Sequence, residues 1–435
     1  MGSTSKCVKS TAITTAALGF LAVSCNGLAN ENQAVIADQM AALCEEADST
    51  NQPTFQLDSS NYATFNNFVA SALTIEDAVD ECSNYQELND TASYDAQVTP
   101  DEAPAQYTSL VQISSSQISN IKNHLSGKRQ QQNSASETTA ALYPELGNYY
   151  GKAAGNELFS SGRLSVFFSG ATVDGNQDDT NYEVGYDLAT DHYTLGVDLQ
   201  INSEWLVGLA YGDTSTELEY SLFNDRTDND TDHVLLYSSW YRKNFAVDTT
   251  LGYASGEFKT LRHLPDADAT GVADNKMAYL SISGSYDFNQ GGWSYGPLSG
   301  IDYLKGEIDA FEEQGNSIWN AAFDSQDVKS MIFTMGAQTA FAQSFSWGVV
   351  VPHAKVLWRY ELEDDRDLIV GRFAIDPASD FAITPDDPDT SWYEVSVGLS
   401  AVMPHGISAF INYEEVLSYD DTDLSTISAG ARLEF

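Results

Sequence analysis

The chain has 435 residues, 42% of them hydrophobic, and sets 20 Lys and Arg against 63 Asp and Glu for a formal net charge of −43. That balance excludes nucleic-acid binding by any simple electrostatic route. The length has room for two to four domains or for one large barrel with attachments, and the acidity reads as a solvated surface, with cation binding as the alternative.

Lys6 and Lys9 precede an apolar run from Thr11 to Val23, and small residues follow through Ala29. This is the pattern of a secretory signal peptide over 1–29, with cleavage expected after Ala29. The run is shorter than the roughly 20 residues that a helical span needs. Cys25 behind Leu21-Ala22-Val23-Ser24 weakly resembles a lipoprotein box, so lipidation there is the competing reading. Two cysteines remain in the mature chain, Cys44 and Cys82. An even pair in an exported chain is read as a disulfide; a zinc site would need further ligands nearby.

Residues 30–95 show helical spacing at Val35, Met40 and Leu43, a break at Pro53, and a resumption at Phe65, Phe68, Val69 and Leu73. The expectation is a small helical, disulfide-pinned domain, a passenger or a periplasmic module, too small to bury a large core alone. A connector over 96–106 holds Pro100 and Pro104. Behind it, Leu110, Ile113, Ile118, Ile121 and Leu125 place one helix over 107–129, which carries the basic residues Lys122, Lys128 and Arg129. Residues 130–162 are polar and read as a flexible lead-in.

From Arg163 the period changes to two. Tyr193, Leu195, Val197, Leu199 and Ile201 alternate with Thr194, Gly196, Asp198 and Gln200, and the same pattern recurs from Phe245 and from Tyr393. Strands are expected to begin near Arg163, His192, Trp205, His233, Phe245, Met277, Trp293, Ser330, Trp347, Trp392, Ile407 and Thr426. Short turns, as at Asn202-Ser203 and Pro404-His405-Gly406, alternate with long acidic connections such as 223–232, 263–274, 308–327 and 361–390. A β-sandwich has no reason to segregate loop length by end, whereas a transmembrane barrel does. Trp205, Phe245, Trp293 and Trp347 follow short turns, where an interfacial aromatic girdle would lie. The fold expected over 163–435 is therefore an all-β, 12-stranded antiparallel up-and-down barrel in the outer membrane of a Gram-negative bacterium. Its lumen face would carry Asp198, Asp248, Asp287, Asp302 and Glu394, together with Lys355 and Arg359.

From about Tyr107 to Phe435 the chain resembles the translocator domain of autotransporters, the type V secretion family, most specifically from Val351 to Phe435. The resemblance rests on Pro352-His353-Ala354, Phe373-Ala374-Ile375-Asp376-Pro377, Phe381-Ala382-Ile383 and the strand Tyr393 to Leu399. Met403-Pro404-His405-Gly406 and the terminal Leu433-Glu434-Phe435 complete it. It implies that the helix threads the pore, that a passenger precedes it, and that the barrel assembly machinery reads the terminal strand through Leu433 and Phe435. It implies outer-membrane lipid and lipopolysaccharide as surroundings. In some members an Asn-Asn pair in the pore helix cuts the chain; here Ser119 stands in the first position before Asn120, so no cleavage by that route is expected.

No enzyme, cofactor or metal centre is expected. The six histidines are scattered, and Gly212-Asp213-Thr214-Ser215, which faintly resembles an esterase block, lacks a matching downstream Asp and His. Asp225, Asp228, Asp230 and Asp232 alternate as calcium ligands can, but lack the glycine and terminal Glu of an EF-hand loop; divalent cations at such acidic loops are kept as an expectation. The leading function is an outer-membrane autotransporter barrel that anchors or exports a short N-terminal passenger. The alternative is an outer-membrane channel or structural barrel with a periplasmic N-terminal domain.

Overall fold

The computed structural model describes residues 31–49, 82, 84, 92–100, 102–134, 163–363, 366–386 and 389–435. The expected signal peptide, the lipid site at Cys25 and the helix through Phe65 to Leu73 lie outside the described residues.

Twelve long strands form the barrel. They are β1 Leu164–Gln177, β2 Tyr186–Gln200, β3 Trp205–Tyr220, β4 Arg226–Arg242, β5 Phe245–His263 and β6 Asp268–Tyr286. Then follow β7 Trp293–Ile308, β8 Gln326–Phe341, β9 Gly348–Glu361, β10 Ser391–Val402, β11 Ile407–Leu417 and β12 Thr422–Glu434. Each pairs antiparallel with its sequence neighbours, and β1 pairs with β12 from Ser165↔Glu434 to Gln177↔Thr422. Closure removes both sheet edges, so the strands need no partner to satisfy their backbone groups.

The alternation sorts side chains as lipid outside and polar lumen inside. On β2, Tyr193, Leu195 and Val197 are about half exposed, while His192, Thr194 and Asp198 between them are buried. In a soluble sandwich the apolar face would be the covered one. Trp205, Phe245, Trp293 and Trp347 all stand exposed beside the short-turn end. There they pack with further aromatics, Trp205 with Trp240, Trp293 with Phe341 and Trp347 with Phe345. The turn between β6 and β7 uses Gly291 and Gly292 at φ +59° and +87°, a left-handed region that a Cβ disfavours.

Several strands begin earlier than their apolar alternation suggests: β2 at Tyr186, β4 at Arg226, β6 at Asp268, β8 at Gln326 and β12 at Thr422. Beyond the apolar band the outward positions become Asp191, Asp213, Asp230, Asp232 and Lys259 while the ladder continues. The hydrogen bonds persist where the hydrophobic signal stops. The acidic stretches 223–232 and 263–274 are therefore mostly strand. The large connections at this end are 309–325 and 362–390. They contribute four short strands, Phe311–Glu312, Ala321–Phe323, Ile369–Phe373 and Asp376–Ile383, which pair into a separate small sheet.

Among the described residues three helical segments with defined bounds precede the barrel: α1 Glu31–Ser49, α2 Ala92–Val98 and α3 Ala103–Ser134. The α3 helix is longer at both ends than the expected 107–129. Pro104 falls in its first turn, where a missing N–H costs nothing, so the proline starts the helix rather than preceding it. Cys44 and Cys82 are joined, with Cα atoms 5.1 Å apart. No described helix is long and apolar enough to cross a membrane, which says nothing of a β-barrel.

Candidate functional site: the plugged lumen

At 1.5 Å per residue the 32 residues of α3 extend about 48 Å, enough to traverse the barrel. Its first turn meets the long-loop end, where the Tyr220 hydroxyl donates to the Glu102 carbonyl at 3.2 Å. Its far end meets the closing seam, where Lys128 Nζ donates to Ser165 Oγ at 3.0 Å and lies 3.6 Å from Glu434. The helix thus enters at the loop end and leaves beside the start of β1.

One side of α3 packs against β1 to β4. Gln117 bonds Thr214 and Thr194, Asn120 donates to Thr194 at 2.8 Å, and His124 Nε2 lies 2.9 Å from the Asp198 carboxylate. Asp198 also accepts from Ser165 and Tyr237. The His124 ring stacks on Phe167 at 3.7 Å between centroids. Phe167 can lie flat on the wall because its neighbour is Gly196; a Cβ there would sit 2.2 Å from the Phe167 ring.

The other side carries small and charged residues, and charge pairs bridge it to the wall. Lys122 Nζ donates to both Asp302 oxygens at 2.7 and 3.0 Å, and Arg359 reaches the same carboxylate at 3.4 Å while pairing with Glu394 at 2.7 Å. Arg129 bonds both oxygens of Asp248 at 2.6 Å. Lys355 donates to Asn123 at 3.3 Å. A cavity of about 100 Å³ persists on this side between Ser119, Ser126 and Gly127 of the helix and Gly300, Ser396 and Ser400 of the wall. That is room for several waters. The structure therefore brings Lys122, Lys128 and Arg129 onto lumen partners and places Asp198, Asp248 and Asp302 in direct contact with the helix. Glu394 acts through Arg359. Asp287 accepts from Gln338 on the wall.

Sequence reasoning did not single out His124, which shares the inward stripe of Gln117, Asn120 and Lys128. It also missed the mouth. There Arg262, at the end of β5 and fully buried, donates to the Val98 carbonyl at 2.9 Å and faces Glu313 at 3.3 Å and Glu102 at 3.7 Å. Burial pushes the Glu102 carboxyl well above the usual carboxylate range, opposed by Arg262 and reinforced by Asp225. Burial likewise raises Glu313, again against Arg262. The signal was available in principle, as an arginine in a chain with few of them, but no local pattern ties residue 262 to residues 98, 102 and 313.

Leu433 and the terminal Phe435 both face outward at the rim, and the Phe435 amide donates to Leu164 across the seam at 2.8 Å. The alternating aspartates have protein partners: Asp228 with Arg226, Asp230 with Lys259, Asp232 with Tyr211 and Asp225 with His263. Among the described residues no three His, Cys, Asp or Glu side chains converge to hold a metal ion. Asp213 and Ser215 point outward from β3 and Gly212 and Thr214 inward, so the block that resembles an esterase is split between two faces of a strand.

A family model described as the autotransporter beta-domain matches residues 166–414. Outer membrane protein B of Rickettsia rickettsii is 25% identical over 218 residues, 47% of this chain and 13% of the relative's length. Outer membrane protein B of Rickettsia japonica is 24% identical over 201 residues, 43% and 12% of the two chains. The chain thus spans about an eighth of these relatives. The solved translocator domain of the autotransporter NalP from Neisseria meningitidis superposes with a TM-score of 0.51 at 13% identity, over 70% of this chain and 98% of that one. The beta domain of the Bordetella autotransporter BrkA gives 0.49 at 14% identity, over 63% and 100%.

Proposed function

The chain belongs to the autotransporter beta-domain family, and from that premise we propose that its barrel carries its own N-terminal segment to the cell surface and keeps it attached. The barrel resides in the outer membrane of a Gram-negative bacterium. In such barrels the short turns face the periplasm and the long loops face outward. One observation carries the proposal: α3 starts at the loop end and finishes at the short-turn end beside β1. The described residues before Ala103 then lie on the outer side of the plug.

The alternative of a periplasmic N-terminal domain requires the helix to run the other way, and the contacts of Glu102 and Lys128 count against it. An open channel is disfavoured by the charge pairs that hold α3 in the lumen. We read the chain as a transport and anchoring unit without catalysis of its own. Lipopolysaccharide would surround its outward face, and the barrel assembly machinery would read its last strand. An epitope tag placed after Ala29 tests the proposal. Antibody should label it on intact cells; labelling only after the outer membrane is permeabilised would overturn the reading.

A further inference from the structure

A carried segment can stand free on the cell surface or fold back on its carrier. We infer that the helices α1 and α2 form a fixed cap, docked across the outer mouth of the barrel on a receptor surface that its loops provide. The inference rests on the surface location proposed above.

The contacts encircle the mouth. The Glu31 amide donates to Asn181, and Asn32 donates to Tyr182 at 2.7 Å, both in the connection between β1 and β2. Asn32 also exchanges two hydrogen bonds of 2.9 Å with the backbone of Thr384, in the connection between β9 and β10. Gln97 donates to the His263 carbonyl at 2.6 Å at the tip of β5. Trp319, in the connection between β7 and β8, donates from its indole to the Tyr94 hydroxyl at 2.8 Å, with the two rings edge-on at 6.4 Å. Loops after strands one, five, seven and nine of a twelve-stranded ring lie around its whole circumference. A segment that bonds all four lies across the opening.

Packing points the same way. Ile36, Met40 and Cys44 of α1 and the Cys82 that is joined to it are each at most 3% exposed, although a segment of this size cannot bury a core alone. Their core is borrowed: they form one continuous apolar cluster with Trp319, Phe373 and Phe381 of the loops. The same loops are braced from behind, since Trp319 meets Phe373 edge-on at 5.8 Å and the Ile375 amide donates to Ile318. A loop sheet serving only to extend the barrel would have no reason to present a buried tryptophan to a segment more than 200 residues away in sequence.

The test uses the full chain in intact cells, with the tag after Ala29, and measures how fast externally added protease removes the tagged segment. The native protein should resist. Tyr94→Ala, which leaves the barrel loops untouched, should speed removal at least tenfold, Tyr94→Phe should fall between, and Trp319→Ala should match Tyr94→Ala if its barrel remains heat-modifiable. Rapid removal from the native protein, or equal rates for native and Tyr94→Ala, would overturn the cap and leave the surface location standing. A tag that neither antibody nor protease reaches until the outer membrane is permeabilised would overturn the surface location and the cap with it.

Discussion

Replacing Arg129 by Met isolates one clamp of the plug. Arg129 and Asp248 are bonded through both carboxylate oxygens at 2.6 Å, with side chains 11% and 8% exposed. In the variant Asp248 keeps Ser239, 2.6 Å away, but loses its cation. Removing one partner of a buried pair costs about 3–5 kcal/mol, whereas replacing both by apolar groups is often neutral. Both residues border the cavity beside the helix, so water can reach the stranded carboxylate and the low end applies, about 3 kcal/mol. At about 1.4 kcal/mol per decade, the ratio of vacated to plugged lumen should rise roughly 100-fold. Single-channel recording in a planar bilayer reads this as the fraction of time spent in a high-conductance state. Arg129→Met combined with Asp248→Leu should return that fraction to within about tenfold of the native protein. A single variant indistinguishable from native, or a double variant more open than the single, would refute the charge clamp.

Cys44 and Cys82 should show no free thiol in denatured, unreduced protein from the outer membrane; in the chain-entropy model their bridge contributes about 4 kcal/mol to the segment, so Cys44→Ser with Cys82→Ser should make the cap more sensitive to protease at elevated temperature. Glu102 and Glu313 have carboxyls raised above their ordinary value of 4.5. Their folded forms hold the proton more tightly than the unfolded chain does. Their contribution is fully present below the ordinary value and is lost as pH rises through the raised one, so the cap should become more protease-resistant as pH falls from neutral toward 4.5. Resistance that falls over that interval would contradict the sign. Phe435→Asp places a charge on an outward rim position and should deplete heat-modifiable barrel from the outer-membrane fraction; undiminished barrel would remove Phe435 as the assembly signal.

The barrel was legible because its two faces meet different solvents. Lipid selects Tyr193, Leu195 and Val197 on one side of β2, the lumen selects Thr194 and Asp198 on the other, and the period of two follows directly. Legibility ends where that contrast ends. Outward Asp191 and inward Thr190 both suit water, so the outer turns of the strands read as loops although the ladder continues through them. The plug's basic residues stood out against an acidic chain and the lumen carboxylates followed from the strand period, but the pairings between them did not. Which carboxylate Lys122 meets depends on the rotation of the helix and its depth in the barrel, and neither is encoded locally. The cap was least visible. Ile36 and Met40 are spaced as any amphipathic helix would space them, and the apolar cluster they join includes loop residues Trp319 and Phe381, far away in sequence.

The division of the lumen explains why charges hold the helix. A barrel of twelve strands is wider than one helix of about 10–12 Å, so packing cannot close on every side. On the β1 to β4 side the helix makes close contact through Gln117 and His124, with Phe167 lying flat over Gly196. Across the gap the wall is mixed, with Ser285, Gly300, Ser396 and Ser400 beside Leu298, Leu357 and Phe410, and a cavity of about 100 Å³ is left between it and the helix. Lysine and arginine can span it. Their long stems cross the cavity and their heads bond carboxylates on β5 and β7, while small residues leave the remainder to water. Apolar contact tolerates many depths of the helix, but Lys122 on Asp302 and Arg129 on Asp248 are satisfied together at one. On the proposed function, a chain that carries its own N-terminus outward must stop at a defined register, and two bonded pairs seven residues apart on one helix would supply that stop.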